Sequence, residues 1–249
     1  MELSLIIPAY NEAQRIGPSL ETVVDYMSAR AETWEVIVVD DGSRDETTRI
    51  VERFADRGVR LIRMSSNLGK GAAVRRGMLE ATGRYRIFTD ADLSTPVEEI
   101  DNALLHLRSY DIAIGSRAVD RSYVQVHQPW YRETMGKIFN LIVQALAIPG
   151  IKDTQCGFKA FRADAAERVF RRSVIDGFSF DVEALFIARK LGLSIIEFPV
   201  RWFNDERTTV NPLIEPLNMI RGLWRIRMTH RKWESEKEKE KERGSTPAS

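Results

Sequence analysis

The sequence predicts an α/β fold with a mainly parallel central sheet flanked by helices, and three observations carry that expectation. Apolar strand-like runs alternate with helix-length segments from Leu3 to Gly115. Runs such as Val36-Ile37-Val38-Val39 are continuously apolar, as in strands covered on both faces, and the helices between them imply right-handed crossovers. Each run ends in a polar or glycine-containing turn, and ligands of such sheets bind beyond the strand carboxyl ends.

The first strand, Leu3 to Ile7, leads to Pro8-Ala9-Tyr10-Asn11-Glu12. The second, Glu35 to Val39, leads to Asp40-Asp41-Gly42-Ser43, and the third, Val59 to Arg63, to Asn67-Leu68-Gly69-Lys70-Gly71. The fourth, Tyr85 to Thr89, delivers Asp90-Ala91-Asp92, and a helix is expected after Ser94-Thr95-Pro96. The fifth, Asp111 to Gly115, ends at Gly115-Ser116-Arg117. Five polar edges therefore converge on one crevice, which independent surface turns would not explain.

From about Val124 the pattern changes. A helix is expected from Tyr131 to Ala147, then Pro149-Gly150, then the polar-aromatic segment Asp153-Thr154-Gln155-Cys156-Gly157-Phe158-Lys159. Helices over Ala163 to Phe170 and Asp181 to Leu191 follow, with strand-forming residues from Ile195 to Phe203. The last helix, about Pro212 to His230, carries Leu213, Leu217, Ile220, Leu223, Trp224 and Met228 at near-helical spacing, accompanied by Arg221, Arg225, Arg227, Arg231 and Lys232. Residues 234–249 have nothing apolar to bury and read as a charged, disordered tail.

A chain of 249 residues with this composition fits one sizeable domain. The net charge of +1 gives no global field for nucleic acid. A single cysteine, Cys156, excludes an internal disulfide framework and reads as a small buried hydrophobe in a reducing compartment. The amino terminus enters the first strand without the pattern of a signal peptide, so secretion is not expected. No stretch reaches the roughly 18 to 20 apolar residues of a spanning helix. Gly69-Lys70-Gly71 lacks the spacing of a P-loop, which argues against a nucleotide hydrolase.

Asp90 and Asp92 carry the chemistry. Side chains at i and i+2 on a strand share a face, so both carboxylates can address one cation, and oxygen-only ligation suits Mg²⁺ or Mn²⁺. Such ions take substrate phosphate oxygens as further ligands. On its own the pair is a weak signal and reads rather as a solvated turn whose aspartates cap the next helix.

With these motifs in this order on these edges, the chain resembles family 2 glycosyltransferases of the GT-A fold. Gly115-Ser116-Arg117-Ala118, the Asp153 to Lys159 segment and Phe180-Asp181-Val182-Glu183 resemble the dolichyl-phosphate glucosyltransferase branch in particular. The resemblance spans the first strand to about residue 230. It implies a single catalytic domain over 1–230, with residues 1–120 holding the nucleotide sugar and 121–230 facing acceptor and membrane. The implied reaction is transfer of a hexose from UDP-glucose or GDP-mannose to a polyprenyl phosphate, with inversion at the anomeric carbon.

By the same resemblance Pro8, Ala9, Tyr10 and Glu12 hold base and ribose with Asp40 and Asp41. Asp90, Ala91 and Asp92 meet the sugar and the diphosphate, the aspartates through the metal, and Lys70 adds charge near the donor. Lys70 reads also as an exposed helix-start lysine. A phosphate acceptor is already ionised and needs no general base, whereas it needs cations to position it. Arg117, Arg132 and Lys137 match that acceptor region, and Asp153, Gln155 and Glu183 match residues lining its sugar end, with structural capping the other reading of Glu183. Arg207 stands in a divergent loop, Asn204 to Thr209, where the family often carries a basic-Gly-Ser-Lys element. A lipid acceptor implies docking on the cytoplasmic face of a membrane, through Ile138 to Ile148, through Leu213 to Trp233, or through a membrane-anchoring partner or a second copy.

Overall fold

A computed structural model describes residues 1–126, 140–145, 147–203 and 215–230. Its centre is a seven-stranded sheet. Strands β1 (Leu3–Ala9), β2 (Trp34–Asp40), β3 (Val59–Arg63) and β4 (Tyr85–Phe88) are parallel in the order β3-β2-β1-β4, with helices α1 (Ile16–Ser28), α2 (Thr47–Glu52) and α3 (Lys70–Glu80) between them. Helix α4 (Glu99–His106) leads into β5 (Ile112–Ser116). The five strands expected from apolar runs are present, each within two residues of its predicted ends.

One strand of the central sheet was not expected, nor was the short strand at Val124–Val126 outside it. Residues Lys159–Arg162 form β7, which runs antiparallel between β4 and β5, while β8 (Ile195–Pro199) closes the far edge parallel to β5. The sheet is thus mainly parallel with one reversed strand inside it. The stretch Ile195 to Phe203 divides, and its second part, β9 (Trp202–Phe203), pairs with β6 (Val124–Val126) in a separate two-stranded ribbon. Of the helix expected from Tyr131 to Ala147, residues 140–145 are helical and 131–139 lie outside the described residues.

The burial of β1 is complete along its length, as a strand with helices on both faces requires. One core, under α3, α5 (Ala163–Phe170) and α6 (Phe180–Lys190), gathers Ile6, Phe88, Phe161 and Phe180. The other, under α1 and α4, gathers Leu5, Val36, Ile87 and Phe158. Helix α7 (Glu215–His230) joins the first core through Leu223 and Ile226. Its exposed face presents Arg221, Arg225, Trp224 and Met228, the last two 69% and 48% exposed.

Candidate active site

The crevice lies where β1, β2 and β4 end. The β1–α1 loop is laced to the β2–α2 loop by its own backbone: Asn11, at φ 54°, donates N–H to Ser43 Oγ (2.9 Å), Glu12 to Thr47 Oγ1 (2.7 Å) and Ala13 to Asp45 Oδ2 (3.1 Å). Pro8 and Ala9 finish β1, and Tyr10 projects at the mouth, 38% exposed. Asp40 is buried at the end of β2 and accepts the Ser43 N–H. This pinned floor is the part assigned to base and ribose.

Asp41 turns the other way. Its carboxylate accepts the N–H groups of Leu68 and Gly69, both at 2.8 Å, and so sets the loop that starts α3. Burial raises its pKa, with those two bonds pulling the other way. Asp41 therefore supports the loop that carries Lys70.

Asp90 and Asp92 sit together just beyond β4. Asp92 accepts the Ser94 N–H (2.9 Å) and lies 3.7 Å from Arg15 Nη1, while Arg15 forks onto Glu12 through two 2.6 Å bonds. Lys70 Nζ lies 2.5 Å from Asp90 Oδ1. Neither aspartate caps a helix, since α4 begins only at Glu99. Burial, then the charge of Asp90, pushes Asp92 above the ordinary carboxylate range, and burial raises Glu12 as well. A set of crowded, partly desolvated oxygen donors is what a hard divalent cation relieves, so the residues fit Mg²⁺ or Mn²⁺. Ala91, between the two aspartates, is buried.

The reversed strand backs this pair. A Cβ at Gly157 would fall 2.0 Å from Asp90 Oδ2, so glycine lets the Cys156 to Lys159 segment pass behind the carboxylate without displacing it. Lys159, fully buried, bonds Asp181 Oδ1 (2.5 Å) and the Cys156 carbonyl (2.6 Å). Burial raises the Asp181 pKa against the opposing charges of Lys159 and Lys70. Cys156 is buried and its thiol is pushed up to about 11, first by burial, so it packs and does not attack.

Arg117 and Asp153, which the resemblance matches to the acceptor region, meet each other. Arg117 donates Nε–H to Asp153 Oδ2 (2.7 Å), Nη2–H to Oδ1 (2.9 Å) and its backbone N–H to Oδ2 (3.0 Å), and its guanidinium lies 5.4 Å over Trp202. Burial works against the Arg117 charge, but Asp153 more than offsets it, and the same partner holds Asp153 below its ordinary range despite its own burial. Gln155 donates its N–H to Asp153 Oδ1 (3.2 Å).

Glu183 is elsewhere. It is fully buried, accepts the N–H groups of Val174 (3.0 Å) and Ile175 (2.8 Å) and pairs with His230 Nε2 at 2.9 Å. It fastens the loop before α6 to the end of α7, the structural alternative for this residue. Arg132, Lys137 and Arg207 lie outside the described residues.

Sequence reasoning passed over Gly157, Lys159 and Asp181 as site residues. A signal was present, since a lysine inside Phe158-Lys159-Ala160-Phe161 and an aspartate inside Phe180-Asp181-Val182 are charges in apolar surroundings that need each other.

Comparison with known proteins gives three findings. The model of the family described as glycosyl transferase family 2 matches residues 4–170. The dolichyl-phosphate beta-glucosyltransferase of Dictyostelium discoideum is 33% identical, covering 92% of this chain and 74% of that protein, and the Homo sapiens enzyme of the same name is 34% identical, covering 92% and 76%. Among solved structures, glucosyl-3-phosphoglycerate synthase from Mycobacterium tuberculosis in complex with Mn²⁺, UDP-glucose and phosphoglyceric acid superposes with a TM-score of 0.62 at 20% identity, over 90% of this chain and 79% of that one, a likeness of fold.

Proposed function

The chain belongs to glycosyl transferase family 2, and from that footing we propose that it transfers glucose from UDP-glucose to a polyprenyl phosphate, with inversion to a β-linked product. The observation that carries this reading is the pairing of a carboxylate couple at the end of β4 with relatives whose names specify dolichyl phosphate as acceptor and a beta-glucosyl product. Asp90 and Asp92 are the residues that would hold Mg²⁺ or Mn²⁺, and the ion bound there would neutralise charge left on the departing diphosphate without proton donation.

The chain's own residues do the rest. The loop from Pro8 to Glu12 and Asp40 holds the nucleoside, on a floor that is already hydrogen-bonded before substrate arrives. Asp153 takes the Nε and Nη2 donors of Arg117 and aims the guanidinium, whose remaining donors would meet the acceptor phosphate. The attacking oxygen is ionised near neutral pH, so no side chain is required to remove a proton.

A lipid acceptor requires contact with a bilayer surface. The face of α7 bearing Arg221, Trp224, Arg225 and Met228 has the apolar-plus-basic character of an interfacial anchor, and among the described residues no helix is long and apolar enough to cross a membrane.

The test is a donor screen with Mg²⁺ or Mn²⁺ and a polyprenyl phosphate, reading nucleotide release and lipid-linked sugar. UDP-glucose is expected to give both. Turnover with GDP-mannose alone would reassign the donor, and transfer to a saccharide hydroxyl without polyprenyl phosphate would reassign the acceptor. Nucleotide binding without turnover under every condition would refute an enzyme.

A further inference from the structure

Lys70 occupies an unusual place for a cation. It is the first residue of α3, where the helix dipole disfavours positive charge. Its backbone is fixed from two directions: Asp41 holds the N–H groups of Leu68 and Gly69, and the Asp176 carbonyl accepts the N–H of Gly71 (2.7 Å) and of Ala72 (3.3 Å). Gly69 and Gly71 permit this closeness, since a Cβ at either would lie within 2.5 Å of a carbonyl oxygen of the Ile175-Asp176 stretch. The Lys70 backbone is therefore fixed, and any rearrangement of its ammonium falls to its side-chain torsions.

That side chain is paired with one carboxylate and feels the charge of a second. Its ammonium touches Asp90 Oδ1 at 2.5 Å on the crevice side, and the charges of both Asp90 and Asp181 act on it. Asp181 belongs to the core behind the crevice and already serves Lys159, so it gives Lys70 a second negative neighbour that is not part of the ion site. The Phe180 ring, its centroid 6.0 Å from Nζ, lies on the same side. A divalent ion at Asp90 and Asp92 and an ammonium on Asp90 Oδ1 are like charges contending for one carboxylate.

We propose that Lys70 is a resident cation that competes with the divalent ion for Asp90 and yields it by turning its ammonium toward Asp181. The inference rests on Asp90 and Asp92 as the holders of that ion. Its consequence is that the nucleotide-free protein binds the ion weakly, whereas a donor diphosphate, by offering Lys70 a further anionic partner, favours the exchange.

The experiment is titration of the nucleotide-free protein with Mn²⁺, followed by electron paramagnetic resonance of the free ion. Lys70→Met and Lys70→Gln are expected to bind Mn²⁺ at least about tenfold more tightly than the unsubstituted chain, the equivalent of roughly 1.4 kcal/mol. Unchanged or weaker binding in both variants would overturn the proposal and leave Lys70 as a ligand of the nucleotide alone. Removing the buried pair together, in Lys159→Met/Asp181→Asn, is expected to weaken Mn²⁺ binding, and to have no effect once Lys70→Met is present. A loss that persists in the Lys70→Met background would eliminate Asp181 as the alternative partner. Asp92→Asn separates the premises: if it leaves Mn²⁺ binding intact, the ion site itself is misassigned, whereas if it abolishes binding and Lys70→Met changes nothing, only the competition fails.

Discussion

At the scale of single residues, the carboxylate pair sets function against stability. Asp92 has its pKa raised by burial and by Asp90, so in the folded chain its ionised form is a cost. A carboxyl whose folded pKa is raised contributes stability below that pKa and loses it as pH rises through it. Asp92→Asn keeps an oxygen for the Ser94 N–H and removes the charge, so near neutral pH its Tm should equal or exceed that of the unsubstituted chain while transfer falls by at least about 100-fold. Calorimetry beside the transfer assay checks both, and a lower Tm or full activity would contradict the assignment. The same shift has a pH signature: ion binding should fade on acidification at a pH above the ordinary aspartate value of 3.8. Gly157→Ala probes the support, because its Cβ would displace Asp90; a misplacement on the order of 1 Å costs about 100-fold in kcat/KM, with the fold retained by circular dichroism. Asp90 and Asp92 were legible in the sequence as a carboxylate pair at a strand's carboxyl end, although the strand stops at Phe88 and the turn after it, not strand alternation, sets their geometry. Lys159 and Asp181 showed there only as charges in apolar surroundings, since their pairing is fixed only after β7 and α6 have been brought together.

At the scale of elements, the long apolar strands and the amphipathic helices were legible because burial on both faces or on one stripe leaves a periodic trace. Strand β7 left little trace. It has four residues, starts with a buried lysine, ends with an arginine and runs straight into α5 at Ala163. Its identity depends on two edges, those of β4 and β5, which lie far off in the chain. The structural role of Glu183 was legible only as an alternative, as its partners Val174, Ile175 and His230 come from a loop and from α7. The α7 contact is equally close: a Cβ at Gly222 would lie 2.1 Å from Ser179 Oγ. Gly222→Ala is expected to destabilise by about 1–3 kcal/mol and to make α7 an early site of proteolytic cleavage. Ser179→Gly in the same chain should restore most of the loss; failure to do so would show that the glycine serves something other than this contact.

At the scale of the whole molecule, one sheet joins what the sequence suggested as two functional halves, and the crevice and the exposed face of α7 belong to a single body of packed elements. The membrane contact proposed for that helix makes a measurable prediction. Sedimentation with vesicles containing anionic lipid should fall several-fold in Trp224→Ala and Arg225→Glu, and more in the double variant, with solution activity on a short-chain acceptor unchanged. Equal sedimentation of all forms would remove α7 from the membrane contact. Strand β7 also bears on how the protein is made. Synthesis proceeds from the amino terminus at about 5–20 residues per second, and early segments start to fold before later ones exist. Here the first four strands emerge with β4 at a bare edge, its neighbour still tens of residues from being synthesised. Until Arg162 has left the ribosome and β7 has slid in beside β4, the segment that backs Asp90 is missing and β5 has no path to the main sheet. The nascent chain thus carries an unfinished, adhesive border through much of its synthesis, and the active site is among the last parts of the molecule to come into being.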